Sequence, residues 1–343
     1  MTLVMQEIQE QPAALERTLR GERATIERIR RLVRRRNFRV VVFIARGTSY
    51  NAALFGRYLF EITTKHVASL AAPSVHILYR AQLDLRGALA VGISQSGEGT
   101  DVNLVLEAYR KQGAFTVGIT NHAKSTMAQL VDEVLLSHAG TERSVAATKT
   151  YTTQLLLLYE LAWALGASFR RQEIERLPAL AAQALRLEGT VRETVQRYRS
   201  MQNCIVVGRG LNYANAYELA LKLMETCYVI AERFSAADLL HGPIALVERG
   251  FRVFVFLPHG VTRRGLESLV RRLKQLGADI LLFSDLGPLP PANTALVIPR
   301  RIPELWTPIP YIIPAQLFAA LLAEAKGLNP DAPRHVKKIT QTI

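Results

Sequence analysis

A polar loop follows an apolar run in the first half of the chain. The loop reads GISQSGEGTD over residues 92–101, and a helical pattern begins near Thr100. Its polar triplet is Ser94, Gln95 and Ser96. Hydroxyls and an amide, set among glycines in front of a helix N-terminus, can hold a phosphate together with backbone N–H groups. A turn with an ordinary helix cap explains one hydroxyl but not three successive polar side chains, so we predict an anion site here.

A second loop of the same character lies earlier in the chain. RGTSYN follows the apolar run that ends near Ala45, and it supplies Thr48 and Ser49 before another helical pattern. Ser49 and Thr100 would be suitable helix caps whatever the function, which leaves the other polar side chains to be explained. Ligands of doubly wound sheets bind at the carboxyl ends of the strands, so we expect both loops to contribute to one cradle.

The chain contains the same unit twice. VVFIARGTSYNAA, which starts at Val41, matches CIVVGRGLNYANA, and the offset of 163 residues continues through the polar loop. In place of the polar triplet the second copy has Leu257, Pro258 and His259. The second copy therefore forms the equivalent turn without the polar triplet, so folding does not require the triplet. For this reason we assign the anion site to the first copy.

Both copies alternate short β-branched runs with stretches of helical period. Strands are predicted near 40–45, 88–93, 116–119 and 134–136, and in the second copy near 204–207, 252–257, 280–283 and 295–298. Helices are predicted near 50–62, 100–111 and 149–164 in the first copy. The alternation predicts the α/β class, with two tandem doubly wound parallel-sheet domains of flavodoxin-like type.

Composition excludes several classes of protein. The most apolar helical stretch, 152–167, is too short to cross a bilayer, and the chain begins without a secretory pattern. Cys204 and Cys227 have no metal or redox spacing, so we expect a cytoplasmic protein without a metal or nucleotide cofactor. The net charge of +14 includes an arginine-rich run over 28–39, which we interpret as a solvated helix face. We therefore expect neither nucleic acid nor a membrane as a partner, whereas the charge suits an anionic substrate.

Several motifs, taken in order, resemble the two sugar isomerase (SIS) domains of glucosamine-6-phosphate synthases. They are GTSYN, SQSGEGTD, GTERSVAATKTYTTQ, ELALKLMETCYVIAERFSAADLLHGPIAL and PRHVKKIT, and the likeness runs from Met5 to the C-terminus. We expect no glutaminase half, because residue 2 is Thr and the isomerase-like portion begins at once. The chain is thus similar to stand-alone SIS proteins, which include glucosamine-6-phosphate deaminases, fructosamine-phosphate deglycases and phosphosugar isomerases.

The resemblance implies a domain order. It predicts a helical arm over 1–38, a first SIS domain with the phosphate site over 39–167, a helical linker over 168–200, a second SIS domain with catalytic residues over 201–328, and a tail over 329–343. The phosphate would be held by Thr48, Ser49, Ser94, Gln95, Ser96 and Thr100.

The resemblance also implies which residues act on the sugar. Glu225 would move a proton between C1 and C2, and His241, supplied by a neighbouring subunit, would open the ring. Lys338 would form a Schiff base with the open sugar, and Val145 would contact it. Lys222 lies one turn before Glu225, where it would pair with that carboxylate or with a sugar oxygen.

Each of these side chains also has a purely structural interpretation. Glu218 and Lys222 would form an i,i+4 pair on a helix, and His241 would end a helix before Gly-Pro. Three positions depart from the family pattern, because Gly99, Ala147 and Leu240 stand where the synthases have Thr, Ser and Lys. The whole constellation in the family's order still favours catalysis.

These observations predict an enzyme that acts on an amino-sugar 6-phosphate. The preferred reaction converts glucosamine 6-phosphate to fructose 6-phosphate and ammonia, in a homodimer with shared active sites and without a cofactor. A deglycase, or an isomerase that releases no nitrogen, would use the same residues. A sugar-phosphate sensor would need the polar loop but not Glu225, His241 and Lys338, and it would usually carry a further partner domain.

Overall fold

Short apolar runs rich in β-branched residues form the strands of two parallel sheets. The computed structural model describes residues 1–33, 35–336 and 338. Its strands are β1 (Val40–Ala45), β2 (Val67–Leu70), β3 (Ala88–Ile93), β4 (Phe115–Thr120), β5 (Glu133–Leu136), β6 (Asn203–Gly208), β7 (Ile230–Ser235), β8 (Arg252–Leu257), β9 (Asp279–Asp285) and β10 (Thr294–Ile298). The strand orders are β2-β1-β3-β4-β5 and β7-β6-β8-β9-β10. Both are the flavodoxin-like order, so the predicted fold class is confirmed.

Helices connect the strands. They are α1 (Leu3–Gln9), α2 (Gln11–Gly21), α3 (Arg23–Val33), α4 (Gly47–Thr64), α5 (Pro73–Ile77), α6 (Thr100–Lys111), α7 (Thr126–Leu130), α8 (Lys149–Ala164), α9 (Arg171–Ile174), α10 (Leu177–Leu185), α11 (Glu188–Val195), α12 (Tyr213–Cys227), α13 (Ala236–Leu240), α14 (Arg263–Gln275) and α15 (Pro308–Ala325). Single 3-10 turns are formed by Gln196–Tyr198, Gly210–Asn212, Pro243–Leu246 and Glu304–Trp306.

The chain divides into two units, each built on one sheet. The first-sheet unit comprises Glu10–Glu142, Lys149–Pro178 and Lys338, and the second-sheet unit comprises Met1–Gln9, Arg143–Thr148 and Ala179–Val336. The predicted tail positions 337 and 339–343, and Arg34 of the arginine-rich run, lie outside the described residues. The domain boundaries given by the resemblance remain predictions.

The sequence pattern finds the central strands and the edge strands β5 and β10, but it misses β2 and β7 at the opposite edges. β1, β3 and β4 are buried along almost their whole length, because helices cover both faces of the sheet and require continuous apolar runs. β2 and β7 were not predicted. They lie at sheet edges and alternate buried with exposed residues, so neither provides such a run.

Two strongly apolar helices form interior parts of the units. α8 contains most of the apolar stretch noted in the sequence, and all its residues except Trp163 are buried in the first-sheet unit, as predicted for a core helix. α15 is long and apolar enough to cross a membrane by length and composition, but 89% of it is buried in the fold. Burial of this extent is typical of the core helix of a globular domain.

The internal repeat extends to the pairing register of the strands. Val40 pairs with Val67 in the first sheet, and Asn203 pairs with Ile230 in the second, so both partners move by 163 positions. The same offset relates the ends of two helices. α4 is followed by Lys65 with φ 63°, and α12 is followed by Tyr228 with φ 54°.

Both helix ends carry backbone strain, but only for Tyr228 do described side-chain contacts offset it. A residue with a Cβ costs about 1–2 kcal/mol in the left-handed region, where glycine has no such cost. Lys65 is exposed. Tyr228, in contrast, accepts a hydrogen bond from the Arg334 backbone N–H at 2.9 Å, and the Arg334 guanidinium lies 3.9 Å from its ring centroid. The tyrosine side chain therefore offsets its backbone strain.

We expect opposite effects from glycine at the two equivalent positions. Lys65→Gly should raise the free energy of unfolding by up to about 1 kcal/mol, because it relieves backbone strain. Tyr228→Gly should lower it by about 1–3 kcal/mol, because the contacts with Arg334 are lost. Urea unfolding of both variants checks this, and a stabilised Tyr228→Gly variant would contradict it.

Candidate functional site

The two polar loops lie at the same edge of the first sheet. β1 and β3 are neighbouring parallel strands, and β2 lies on the other side of β1, so the strand order reverses between them. Ligands of doubly wound folds bind at this switch point. α4 begins directly after β1, and α6 begins after the loop that follows β3. Both helices therefore direct their positive N-terminal ends to this edge.

The loop after β3 is held in one conformation by hydrogen bonds to its own backbone. The Ser94 hydroxyl accepts the Gly97 N–H at 3.1 Å, and the Ser96 hydroxyl accepts the Glu98 N–H at 3.2 Å. Because each hydroxyl oxygen already accepts a bond, its own proton is available for donation to an anion. Ser94, Gln95 and Ser96 are partly exposed, so a ligand can reach them.

Gly97 is required by the geometry of this loop. Its φ is 70°, and a Cβ at this position would lie 2.2 Å from the Ser125 hydroxyl. The Gly97 carbonyl accepts the Asn103 side-chain amide at 3.0 Å and the Met127 N–H at 3.0 Å. Asn103, in α6, was not singled out from the sequence, although it fixes the turn that carries the polar triplet.

The other predicted phosphate ligands occupy the first turns of the two helices. Thr48 and Ser49 lie at the start of α4, and the buried Ser49 hydroxyl accepts the Gln154 side-chain amide at 3.0 Å. Thr100 is the first residue of α6 and is partly exposed. The structure thus brings all six predicted phosphate ligands to one sheet edge. Gln154, which belongs to the quoted TYTTQ stretch, orients Ser49 and was missed.

Charged side chains flank the loops. Arg46, which precedes α4, contacts the buried carboxylate of Asp101 in the first turn of α6, so an ion pair connects the two loops. Glu98 is the other acidic residue of the loop. Hydrogen bonds from the Thr126 hydroxyl and backbone N–H hold its pKa below the ordinary value, so Glu98 is ionised and engaged with α7 at neutral pH.

The corresponding edge of the second sheet contains a carboxylate from the chain itself. Glu304 accepts hydrogen bonds from the Thr262 hydroxyl at 2.7 Å and from the Thr262 N–H at 3.2 Å. A Cβ on Gly260 would lie 2.1 Å from a Glu304 oxygen, and one on Gly210 would lie 3.6 Å from the other. Gly210 and Gly260 are the counterparts of Gly47 and Gly97. The loops of the second copy therefore surround an internal anion.

Glu225 and Lys222 form an ion pair on α12 in the second-sheet unit. The Lys222 Nζ lies 2.7 Å from the Glu225 carboxylate and 3.6 Å from that of Glu218. Lys222 and Glu218 are buried, whereas 22% of the Glu225 side chain is exposed. Both pairings considered from the sequence are thus present. Glu225 is the carboxylate of this cluster that a solute can reach.

His241 and Lys338 have different surroundings. His241 follows α13, and its backbone N–H donates to the Asp238 carbonyl as in a helix end, while its side chain is exposed. In the first-sheet unit the Lys338 Nζ lies 3.1 Å from the fully buried Glu142 carboxylate. Glu142 also accepts the Thr150 hydroxyl at 2.6 Å and the Thr150 N–H at 3.1 Å. Glu142 was missed, although it lies in the quoted GTERSVAATKTYTTQ stretch.

Cysteine or metal chemistry finds no support in the part of the chain that the structure describes. No group of three or more His, Cys, Asp or Glu side chains suited to a metal ion occurs among residues 1–33, 35–336 and 338. Cys204 and Cys227 are buried and free. Burial raises the pKa of Cys227 to about 11 and that of Cys204 further, so both thiols remain protonated at neutral pH.

The internal carboxylate leads to a stability prediction. Glu304→Gln should lower the free energy of unfolding by about 1–2 kcal/mol, because the amide cannot accept from both Thr262 donors and directs its NH2 group at one of them. Urea denaturation measures the change, with Glu248→Gln, at an exposed position, as the matched control. Equal stability of the two variants would show that Glu304 is not a structural acceptor.

Comparison with known proteins identifies the family. The SIS domain model matches residues 35–164 and 198–323. A glutamine–fructose-6-phosphate aminotransferase from Pyrococcus horikoshii is 36% identical over 342 residues, which cover 98% of this chain and 57% of the relative. The chain therefore spans little more than half the length of this curated relative.

Two solved structures have the same fold over almost their whole length. The C-terminal domain of a glucosamine-fructose-6-phosphate aminotransferase from Francisella tularensis has a TM-score of 0.86 at 28% identity, covering 97% of this chain and 98% of that one. A glucosamine-6-phosphate deaminase from Thermotoga maritima has a TM-score of 0.81 at 25% identity, with 99% and 100% covered. On the evidence of sequence and fold, the chain belongs to the SIS domain family.

Proposed function

We propose that the chain is an enzyme that converts glucosamine 6-phosphate and water to fructose 6-phosphate and ammonia. The observation that carries this proposal is the contrast between the two sheets. In one copy the loops at the switch point offer accessible hydroxyls, and in the other the same position is filled by Glu304. An edge built to receive an anion, and left accessible in one copy, suits a phosphate ester.

The proposed phosphate site uses neutral donors and helix ends. Ser94, Ser96 and Thr48 would donate hydroxyl protons, while the N-termini of α4 and α6 supply positive potential. Arg46 is already paired with Asp101, so it balances that carboxylate. A site of this kind holds the ester group of many sugar phosphates, which leaves sugar selectivity to other side chains.

The proposed chemistry follows from the reaction itself. After the ring opens, a base removes the C2 proton and returns it to C1, so that the C1 carbonyl becomes an alcohol and C2 becomes an imine. Water then adds to C2 and ammonia leaves, which gives the ketone. We assign the proton transfer to Glu225, because its carboxylate is partly exposed and lies 2.7 Å from the Lys222 Nζ.

Three further side chains complete the proposal. His241 would protonate the ring oxygen during opening. In the exchange of ammonia for water at C2, the Lys338 amine would first displace ammonia from the imine as a Schiff base, which water then hydrolyses to the ketone and the free amine. Glu142 accepts a hydrogen bond from the Lys338 Nζ at 3.1 Å, which holds this amine in place. Val145 would contact the sugar.

Release of nitrogen is part of the proposal because a glucosamine-6-phosphate deaminase from Thermotoga maritima shares the fold at 25% identity. A deglycase and an aldose–ketose isomerase remain the alternatives within the enzyme class. The buried free cysteines suit a reducing compartment, so a cytoplasmic location stays part of the proposal.

A homodimer is proposed from the surface around His241. The stretch LLHGPIAL exposes 51% of Leu240 and 55% of Leu246 beside the exposed His241. Exposed apolar side chains next to a candidate catalytic group are typical of an interface that also builds a site. The proposed occupant is a second copy of the chain, whose reaction His241 would serve.

The first functional test follows ammonia and fructose 6-phosphate released from glucosamine 6-phosphate. Glu225→Gln should lower kcat by about 10²-fold or more with a smaller change in KM, because the amide cannot carry the proton. Glu232→Gln, at an exposed position on β7, is the matched control and should retain wild-type rates.

Three outcomes would change the assignment. Ammonia release at the wild-type rate from Glu225→Gln would remove Glu225 from its role. Interconversion of hexose phosphates without ammonia would favour the isomerase. Binding of several amino-sugar phosphates without turnover would favour a sensor.

The second test asks whether His241 acts in a neighbouring subunit. Glu225→Gln and His241→Asn should each be nearly inactive alone. When the two are mixed after dissociation, hybrid dimers should recover about a quarter of wild-type activity, because half the dimers would contain one intact site. If mixing restores no activity, His241 acts within its own chain or not at all.

A further inference from the structure

Residues 143–148 of the second-sheet unit form an irregular segment, bent at residues 144–146, in which burial alternates. Ser144, Ala146 and Thr148 are buried, whereas Val145 and Ala147 are partly exposed. Val145 and Ala147 are the positions that the family resemblance places near the sugar. Because buried and partly exposed positions alternate along the segment, the anchoring of the buried positions restricts the directions of the exposed ones.

Glu7 anchors the start of this segment. Its side chain is on α1 and is only 4% exposed. One carboxylate oxygen accepts the Arg143 N–H, and the carboxylate also accepts the Ser144 N–H at 3.3 Å and contacts the Ser144 hydroxyl. Two consecutive backbone N–H groups directed at a single carboxylate fix the two peptide planes that precede Ser144, and so the start of the segment that carries Val145.

The other end of the segment is fixed by α15. The Gln316 side-chain amide donates to the Thr148 carbonyl at 3.4 Å. Ala146 and Thr148 also border a small cavity of about 10 Å³, which is lined as well by Lys222, Thr226 and Gln316. Residues 143–148 therefore pack beside α12, which carries Lys222. A shift of Ser144 would change the contacts of Ala146 and Thr148 with this helix.

Glu7 is itself held in place by the position of α1. The Asp331 carboxylate accepts the N–H groups of Leu3 and Val4, each at 2.8 Å, at the N-terminus of the helix. Val4, Met5 and Ile8 are buried against the rest of the unit. Because α1 is hydrogen-bonded at its N-terminus and buried on one face, it holds the Glu7 carboxylate in a fixed position.

We propose that Glu7 is a positioning residue that fixes Val145 and Ala147 for contact with the sugar. The inference rests on the proposed function for the identity of the ligand. Its basis is the set of donors gathered on one buried carboxylate. Replacing this carboxylate by an amide would turn an NH2 group toward two N–H groups and release the start of the segment.

The test measures binding of two probes to the full chain by calorimetry. Glu7→Gln should weaken fructose 6-phosphate binding about tenfold, the effect of losing hydrogen bonds to a charged group. Inorganic phosphate should bind within about twofold of wild type, because it reports on the polar loop of the first sheet. Hydrogen exchange should accelerate at the amides of residues 143–147.

Matched variants separate positioning from stability. Glu7→Asp should recover part of the sugar-phosphate affinity, and Ser144→Ala should produce a smaller loss than Glu7→Gln. Glu324→Gln is the control, because Glu324 also contacts the start of α1, through the Thr2 hydroxyl at 3.1 Å, but belongs to a different helix. It should leave both affinities unchanged.

The proposal is overturned if Glu7→Gln binds fructose 6-phosphate like wild type, or if both probes weaken equally together with a lower Tm. It is also overturned if the wild type binds inorganic phosphate but no sugar phosphate. Failure of the proposed function has a different signature, since the wild type would then bind fructose 6-phosphate yet turn over none of the amino-sugar phosphates.

Discussion

Backbone N–H groups at the carboxyl edge of a parallel sheet need an acceptor, and this requirement governs both halves of the chain. Helices that begin directly after the strands add their positive ends to the same edge. In the second sheet the chain itself supplies the acceptor. The Glu304 carboxylate accepts a hydrogen bond from the Thr262 N–H and lies next to Gly210 and Gly260. In the first sheet the hydroxyls of Ser94 and Ser96 accept one N–H each and remain accessible. The repeat thus contains one edge filled by the carboxylate of Glu304 and one edge whose serine hydroxyls remain accessible.

A second constraint concerns buried charge. Lys222 and Glu218 are buried together on α12, and an unpaired charge there would be costly. The ammonium group pairs with two carboxylates, of which Glu225 alone is partly exposed. The same need for a partner applies to Glu142, whose buried carboxylate pairs with Lys338 and accepts hydrogen bonds from Thr150. Each candidate catalytic charge is therefore also part of the stability of its unit, and the structural and functional interpretations of these residues are compatible.

The central strands and the polar loops could be predicted from the sequence because their patterns are local. β3 is a continuous apolar run followed by a polar triplet, and the internal repeat supplied a comparison for that triplet. The edge strand β7 could not be found, because its exposed Glu232 and partly exposed Arg233 resemble a loop. Glu304 and Glu7 could not be found either. Their partners are 42 and 137 positions away, at Thr262 and Ser144, and nothing in the surrounding residues marks a carboxylate as an acceptor for distant N–H groups.

The segments that make up the two units alternate along the chain, and this limits how the protein can be dissected. Residues 1–9 and 143–148 belong to the second-sheet unit, although most of that unit begins at Ala179. A C-terminal fragment that begins at Ala179 would lack both α1 and residues 143–148, whose Val4 and Ala146 border one cavity with Lys222 and Gln316. Recombination that exchanges the second-sheet unit with that of a relative would therefore have to carry three separate pieces of sequence.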